Sequence, residues 1–536
     1  MAVTSTKGGA VQPSAETARR LRDAFAAGDL LDLRVGDRTS SGDHDPGTWS
    51  PARVVAADVI TSLLLGKVDA EPGQVPQLFL AGAHIVGRLD LDGAEVVHRL
   101  HLIDCVLEQE LLLNDARTRT IVLDGCRLPA LNAEMARIDG NLVLARCVAS
   151  KLALLGARVD GILALSGSRI EGVDGVAIQA DGLTVSNDLF LREGFRAAGR
   201  VCMPGAVIGG DLALSDAELT GPDTSLNAGT AQVKGHLWLG PTLTVAGEVT
   251  LHYAAVEGRV HIEEARLGGF GATRARFGTD LFVAAHARCG GALTLTGASA
   301  VGRIDLELLE LTDGAALLCQ EIQAGVLELP RRMTGPLDLT NARIGVLKGV
   351  RPPWPDRVSI GGLTYDSIDP VHPASKQIDW LRRNPSGYQP QSYEQLAAMY
   401  RRIGHERDAR AVLLAKQRDR RRTLPWVERA AGFVHDITAG YGYRSWLAAL
   451  WLIAFLAAGT AYFLGSPPPP LKAGEHPDFN ALAYCLDLII PVIDLGQAKA
   501  WNPHGLDQLV SYVLTLVGWL LTVSVVAGVT RVLVRD

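Results

Sequence analysis

Aromatic residues make up only 6% of this chain, and its seven cysteines include no Cys-x-x-Cys pair. That excludes a disulfide-stapled scaffold and leaves no zinc-ribbon or thioredoxin-like signature. Phosphate-loop, serine-hydrolase and zincin signatures are absent: there is no Gly-x-x-x-x-Gly-Lys-Ser/Thr, no Gly-x-Ser-x-Gly and no His-Glu-x-x-His, and His405-Glu406 is followed by Ala409 where a second His would stand. Met1 to Gln12 has no apolar core, so no secretory signal is expected and the bulk of the chain is expected in a reducing cytoplasm. What is present is 536 residues, 48% apolar and 21% charged, with 57 Gly and 26 Pro, enough for two to four domains and too apolar for wholesale disorder. The formal charge of −6 is unevenly spread: Ser392 to Ser445 holds 11 Lys/Arg against 6 Asp/Glu, one basic block in an acidic protein.

Between residues 78 and 348 one phrase recurs, Leu-x-Leu-x-x-Ala/Cys-x-Val/Ile/Leu. It begins with Leu89, Leu91, Ala94 and Val96, then Leu100, Leu102, Cys105 and Leu107, with further starts at Leu111, Ile121, Leu131, Leu142, Leu152 and Leu163. Residues two apart on a strand point the same way, so each phrase supplies two inward pairs and two phrases, about 21 residues, make one turn of a coil. Each coil hides its apolar side only by stacking on a neighbour. The expectation is a mainly β chain, a single-stranded β-helix solenoid of about 13 coils and, at about 4.8 Å per strand, about 60 Å long.

These phrases resemble the pentapeptide-repeat family, whose unit is a small residue, a polar one, then Leu every five positions. This copy drifts to a step of 10 or 11 residues and rarely keeps Asp or Asn after the small residue. The resemblance implies a right-handed, four-sided coil. Some members of that family imitate duplex DNA with dense acid, but residues 78–348 hold 32 acids and 24 bases, too mixed for a phosphate mimic, and no nucleic-acid partner is expected.

Cys105, Cys126 and Cys147 recur every 21 residues and should stack one per coil. Equivalent places elsewhere hold Ala94, Ala116, Ala136, Ala157 and Ser168, so the thiols read as small packing residues; no metal and no cofactor is expected. His101 and His261 lie between inward residues and should face solvent. Gly269-Phe-Gly271-Ala-Thr-Arg274 lacks the third glycine of a dinucleotide fingerprint and reads as a turn. Catalytic residues are therefore expected to be none.

Around the repeats the expected organisation is a helical cap over 1–77, with Ser14 opening Thr17 to Ala27 and a second helix over Pro51 to Leu65. The solenoid covers 78–348 and a proline-rich connector 349–390. A helical hairpin with a basic amphipathic helix covers 391–440, and a two-span membrane module 441–536. Ser392 with Gln395 forms a capping box, and the following hairpin resembles one tetratricopeptide-like pair. Arg420, Arg421 and Arg422 precede Trp426, Val427, Ala430, Phe433, Val434 and Ile437 at helical spacing, which suggests contact with a lipid surface.

Trp446 to Leu464 and Leu509 to Thr530 are charge-free runs of 19 and 22 residues, each long enough to cross a bilayer. Arg420, Arg421, Arg422, Arg429 and Arg444 precede the first and Arg531 and Arg535 follow the second, while the loop between carries two Lys and five Asp/Glu. Positive-inside bias then places both ends and the solenoid on the cytoplasmic side of an inner membrane. Ala481 to Ile493 is too short to span and reads as a re-entrant or interfacial helix. The order span, short helix, loop, span resembles the pore module of two-span cation channels, but Pro491, Val492, Ile493, Asp494 and Leu495 stand where a potassium filter would be. Asp487 and Asp494, acids near membrane depth, are the candidate functional residues there.

The whole arrangement, notably Tyr441 to Arg444 and Leu486 to Trp501, resembles a group of uncharacterised actinobacterial membrane proteins with a cytoplasmic repeat domain, some labelled membrane-associated oxidoreductase. The expected function is that of a non-catalytic, membrane-anchored scaffold binding a protein partner on the solenoid faces. The alternatives are a channel-like or sensory homo-oligomer and, third, an oxidoreductase.

Overall fold

The computed structural model describes residues 14–34, 49–66, 73–442 apart from 285, 313 and 356, and 446–533 apart from 473, 475, 476, 491 and 493. It divides into two compact units, Met1–Val371 with Arg383–Pro385, and His372–Arg382 with Ser386–Asp536.

The first unit is a parallel β-solenoid opened by two helices. Helix α1 (Ala15–Ala27) starts at Ser14, whose hydroxyl accepts the Thr17 N–H, and stops at Gly28 in the left-handed region; its apolar stripe buries Leu21 and Phe25. Helix α2 is shorter than the expected Pro51 to Leu65: it runs Ala57–Leu65, and Val54–Ala56 is instead a strand on His84–Val86. Adjacent β-branched Val54 and Val55 suit the pleat, and a free strand edge was there to pair with.

From there the chain coils. Leu89 pairs with Leu111, Leu111 with Leu131 and Leu131 with Leu152, and the same ladder continues through Ile178, Val201, Leu226, Val249, Phe270, Leu293, Leu317 and Leu337 to Val358, thirteen rungs in all. Each of these side chains is at most 3% exposed, and burial of one contributes about 2 kcal/mol. Three further parallel ladders run beside it, one through Leu78 and Leu100, one through His84 and Val106, one through Glu95 and Arg117. The step between rungs is not a constant 21. It ranges from 20 residues (Leu111 to Leu131) to 26 (Leu152 to Ile178), the surplus being absorbed in bulges such as that between Arg192 and Phe195.

The coil also outlasts the phrase. Val358–Ser359 and Thr364–Asp369 pair with Leu337–Asp338 and Arg343–Lys348, so a last turn lies within the proline-rich stretch expected to be a connector.

Two corners explain polar and small residues that periodicity alone leaves unassigned. At one, each side chain accepts the backbone N–H of the next turn: Thr120 from Asn141 (3.3 Å), Asn141 from Ile162 (3.0 Å), Asp188 from Asp211 (2.8 Å), Asp211 from His236 (2.7 Å), and His236 from Arg259 (2.9 Å). Corner amides that the ladders leave unpaired are satisfied this way. At another corner the backbone turns through the left-handed region; Gly125 (φ +62°) is one such residue, and a β-carbon there would sit 2.2 Å from Asp104 Oδ1.

The outward row of the ladder through Leu78 is unusual. Register places Phe79, His101, Val122, Val143, Ala164, Phe190, Ala213, Trp238, His261 and Phe282 one above the next, and only then do Asp305 and Glu328 follow. The two histidines do face outward but are half-buried, because His101 stacks on Phe79 (4.4 Å) and His261 packs between Trp238 (4.9 Å) and Phe282 (5.4 Å).

The second unit is helical: α3 (Ala374–Leu381), α4 (Pro390–Arg402), α5 (Glu406–Arg422), α6 (Trp426–Ala439), α7 (Trp446–Gly465), α8 (Ala481–Ile489), α9 (Gln497–Ala500) and α10 (Leu506–Leu533). Helix α4 begins at Pro390, which suits a first helical position, so Ser392 lies inside the first turn and is not its cap. Helices α4 and α5 pack as a hairpin through Leu396, Tyr400, Ala409 and Val412. Asp419, buried on α5, accepts Tyr393 Oη and Arg382 Nε, both at 2.9 Å, and pairs with Arg422 at 3.2 Å, so its charge is compensated.

Candidate functional site

The sequence-predicted residues fall in two groups, both in the helical unit. The first is the basic end of α5 and the helix after it. Arg418 grips Asp436 in a forked pair (Nε to Oδ2 3.0 Å, Nη2 to Oδ1 3.0 Å), and Arg421 joins it at 3.3 Å while donating to the Gly432 carbonyl and lying over the Phe433 ring at 5.4 Å. Arg421 therefore serves to hold α6 against α5. Arg420 and Arg422 are exposed, and Arg429, also exposed, donates to the carbonyls of Arg422 and Leu424 at the α5–α6 corner. Trp426 is 79% exposed and Phe433 54%, with Ile437 on the same stripe of α6, since residues seven and eleven along a helix return to one face.

Asp436 had no sequence signal. Its partners lie 15 and 18 residues away on another helix, so only the α5–α6 packing brings them together.

The second group is the apolar module. Trp446–Gly465 and Leu506–Val523 are long and apolar enough to cross a membrane, and only 17% and 22% of those windows is buried, unlike the core helices of a soluble protein. Between them, α8 is capped by Asn480, which accepts the Ala483 N–H at 3.1 Å, and has nine residues where thirteen were expected. It packs on both α7 and α10. Phe463, Tyr484, Cys485, Ile489, Trp501 and Leu514 form the shared core. Small residues let the backbones approach: a β-carbon on Gly459 would lie 2.8 Å from Leu514 Cδ1. Asp507, at the start of α10, accepts the Tyr462 hydroxyl at 2.8 Å, a pairing between the ends of the two long helices.

The two candidate acids are not equivalent. Asp487, on α8, accepts three backbone N–H groups, from Leu495 (2.6 Å), Gln497 (2.8 Å) and Ala498 (3.1 Å), and so holds the start of α9. Asp494 accepts the Gly496 N–H at 3.1 Å and pairs with Lys499, which holds its carboxyl below the usual carboxylate range. Pro491, Ile493, Arg444 and Arg535 lie outside the described residues, as does the Arg531 side chain.

On the solenoid, the cysteine ladder is a packing device. Cys126 and Cys147 donate their thiols to the carbonyls of Leu102 (3.4 Å) and Leu123 (3.3 Å), and Ser168 donates its hydroxyl to Leu144 in the same way at 2.8 Å. Burial pushes the Cys105 thiol well above its ordinary value. Among the described residues no group of three His, Cys, Asp or Glu is placed to hold a metal ion. Gly269–Gly271 sits on the strand Arg266–Gly271 and not at a helix start. The grooves between turns are open, one of about 620 Å³ being lined by Arg259, Asp280, Phe282 and Arg303. No protein-family model, no curated protein and no solved structure matches the chain.

Proposed function

We propose that the protein is a membrane-tethered scaffold: a non-catalytic solenoid, right-handed with four flat sides, that offers those sides to a protein partner while α7 and α10 cross the bilayer. The observation that carries the reading is the exposure of apolar side chains along both long helices, Leu450, Ile453 and Leu464 on one and Leu509, Leu516 and Leu520 on the other, which in water would be an aggregation surface and in lipid is the matched one. Trp426 and Phe433 extend that surface onto α6, which would lie in the headgroup layer with Arg420, Arg422 and Arg429 beside it. The excess of arginine before the first span supports a topology with both ends and the solenoid on the cytoplasmic side of an inner membrane. Membrane fractions washed with alkaline carbonate test the tether: retention in the pellet is expected, and release into the supernatant removes it. Proximity labelling from the solenoid in the native cell then identifies the partner.

A second reading is a channel-like or sensory oligomer, favoured by the packing of α8 against both long helices. Native mass spectrometry in detergent decides it, since a strict monomer cannot close a pore. An oxidoreductase reading would require flavin or nicotinamide absorbance in the purified protein.

A further inference from the structure

The apolar outward row from Phe79 to Phe282 spans ten turns of a sheet face, whereas a solvated face of a solenoid ordinarily carries polar residues there. Of its ten residues only Ala164 is buried within the chain; Trp238 is 37% exposed and the others are half-exposed. The strands along the stripe are hydrogen-bonded to the turn before and the turn after, so no added strand can extend them. What fits such a face is another flat sheet face, packed about 10 Å away.

We infer that a second copy of this chain covers the stripe, its solenoid parallel to the first about a twofold axis along the rods. Two observations select that occupant. The first is charge. Outward positions two residues before and two after the stripe form its margins, and a twofold along the rod sets one margin against the other at the same turn. Asp188 then meets the partner's Arg192, and Arg259 meets the partner's Glu263, with no like charges opposed on the ten turns. An antiparallel pair covering the same stripe would set Arg99 against Arg259. The second is area. Ten turns at about 4.8 Å and a width of four residue steps, from the margin before the stripe to the margin after it, at about 3.3 Å per step give about 630 Å² per copy, or about 1,270 Å² in all, above the roughly 1,000 Å² a specific interface needs. The row also ends where it should. The next two turns place Asp305, 7% exposed and paired with Arg303 at 3.5 Å, and then the more exposed Glu328 in it, and Glu328 would oppose its own copy in such a dimer.

The test uses the full chain in detergent. Ala213 lies on the stripe and would face its own twofold mate, so Ala213→Cys should cross-link to a dimer with a short bis-maleimide, while Val301→Cys, 82% exposed and off the stripe, should not. Trp238→Asp, at a half-exposed position, should reduce the native mass to that of a monomer with an unchanged circular-dichroism spectrum. A wild-type monomer, a dimer in which Ala213→Cys stays silent, or a dimer that survives Trp238→Asp would each overturn the inference. If Trp238→Asp unfolds, the cross-link on the otherwise native chain still decides. Carbonate retention is read separately, so failure of the tether and failure of the dimer are distinct results.

Discussion

Gly518 on α10 passes so close to Ile489 at the end of α8 that a β-carbon on it would lie 2.2 Å from the Ile489 carbonyl oxygen and 2.5 Å from its Cα. The contact is backbone on backbone, so no side-chain rotation can relieve it. Gly518→Ala should therefore force α8 and α10 apart and cost about 1–3 kcal/mol, the range for overpacking. Gly465→Ala, at a glycine with nothing within 4 Å, is the control and should leave the melting temperature in detergent unchanged. Equal melting of the two variants would contradict the placement of α8 between the long helices.

Leu144 is 0% exposed and pairs in register with Leu123 below it. Leu144→Asp buries a carboxylate with no partner and should abolish the folded solenoid; Leu144→Ala should cost about 2–5 kcal/mol. Circular-dichroism melts of the two variants check the order of these effects.

Burial holds the His84 and His101 imidazoles below their ordinary value, against the smaller raising effects of Glu108 and Asp124. Above about pH 6.5 folded and unfolded chains are both neutral at these sites. Below it the unfolded chain takes up protons that the folded chain refuses, so stability falls as pH falls toward the folded values. Melting temperature should drop between pH 7.5 and 5.5, and His101→Gln should flatten that slope. A slope identical to wild type would remove His101 from the account.

Asp487 and Asp494 should separate under mutation. Asp487→Ala leaves three N–H groups without their acceptor and should cost about 1–2 kcal/mol. Asp494→Ala removes an exposed, solvent-screened pair with Lys499 and should lower stability less than Asp487→Ala does. Detergent-phase unfolding of the two variants supplies the comparison.

Thiol chemistry should follow the ladder. Cys105, Cys126, Cys147, Cys289 and Cys319 are buried and should resist maleimide in the folded chain, whereas half-exposed Cys202 should react first. Cys126→Ser should be tolerated, since Ser168 already occupies the equivalent place and bonds the same kind of carbonyl. Mass mapping after a timed maleimide pulse reads both results.

The coil was legible because its signal is redundant. Leu89, Leu111, Leu131 and Leu152 each repeat one instruction, and losing one phrase does not hide the period. Its ends were not. Val54–Ala56 reads as helix and Val358–Ser359 as connector, because a single strand has no period and pairs only if an edge is waiting. The apolar runs of α7 and α10 were visible for a related reason, since length and composition suffice, whereas α8 ended at Ile489, four residues earlier than its apolar run.

Side-chain partners divide in the same way. The 21-residue spacing of Cys105, Cys126 and Cys147 already implied stacking, but not that each thiol meets a carbonyl of the previous turn. The hold of Asp487 on α9, of Asp436 on Arg418 and Arg421, and the single file from Phe79 to Phe282 depend on which backbone segments lie side by side. Local pattern is enough to say which residues leave water, because burial is additive along the chain. Which buried or half-buried groups meet is a property of register and helix packing, and those are settled only when distant segments compete for the same neighbours.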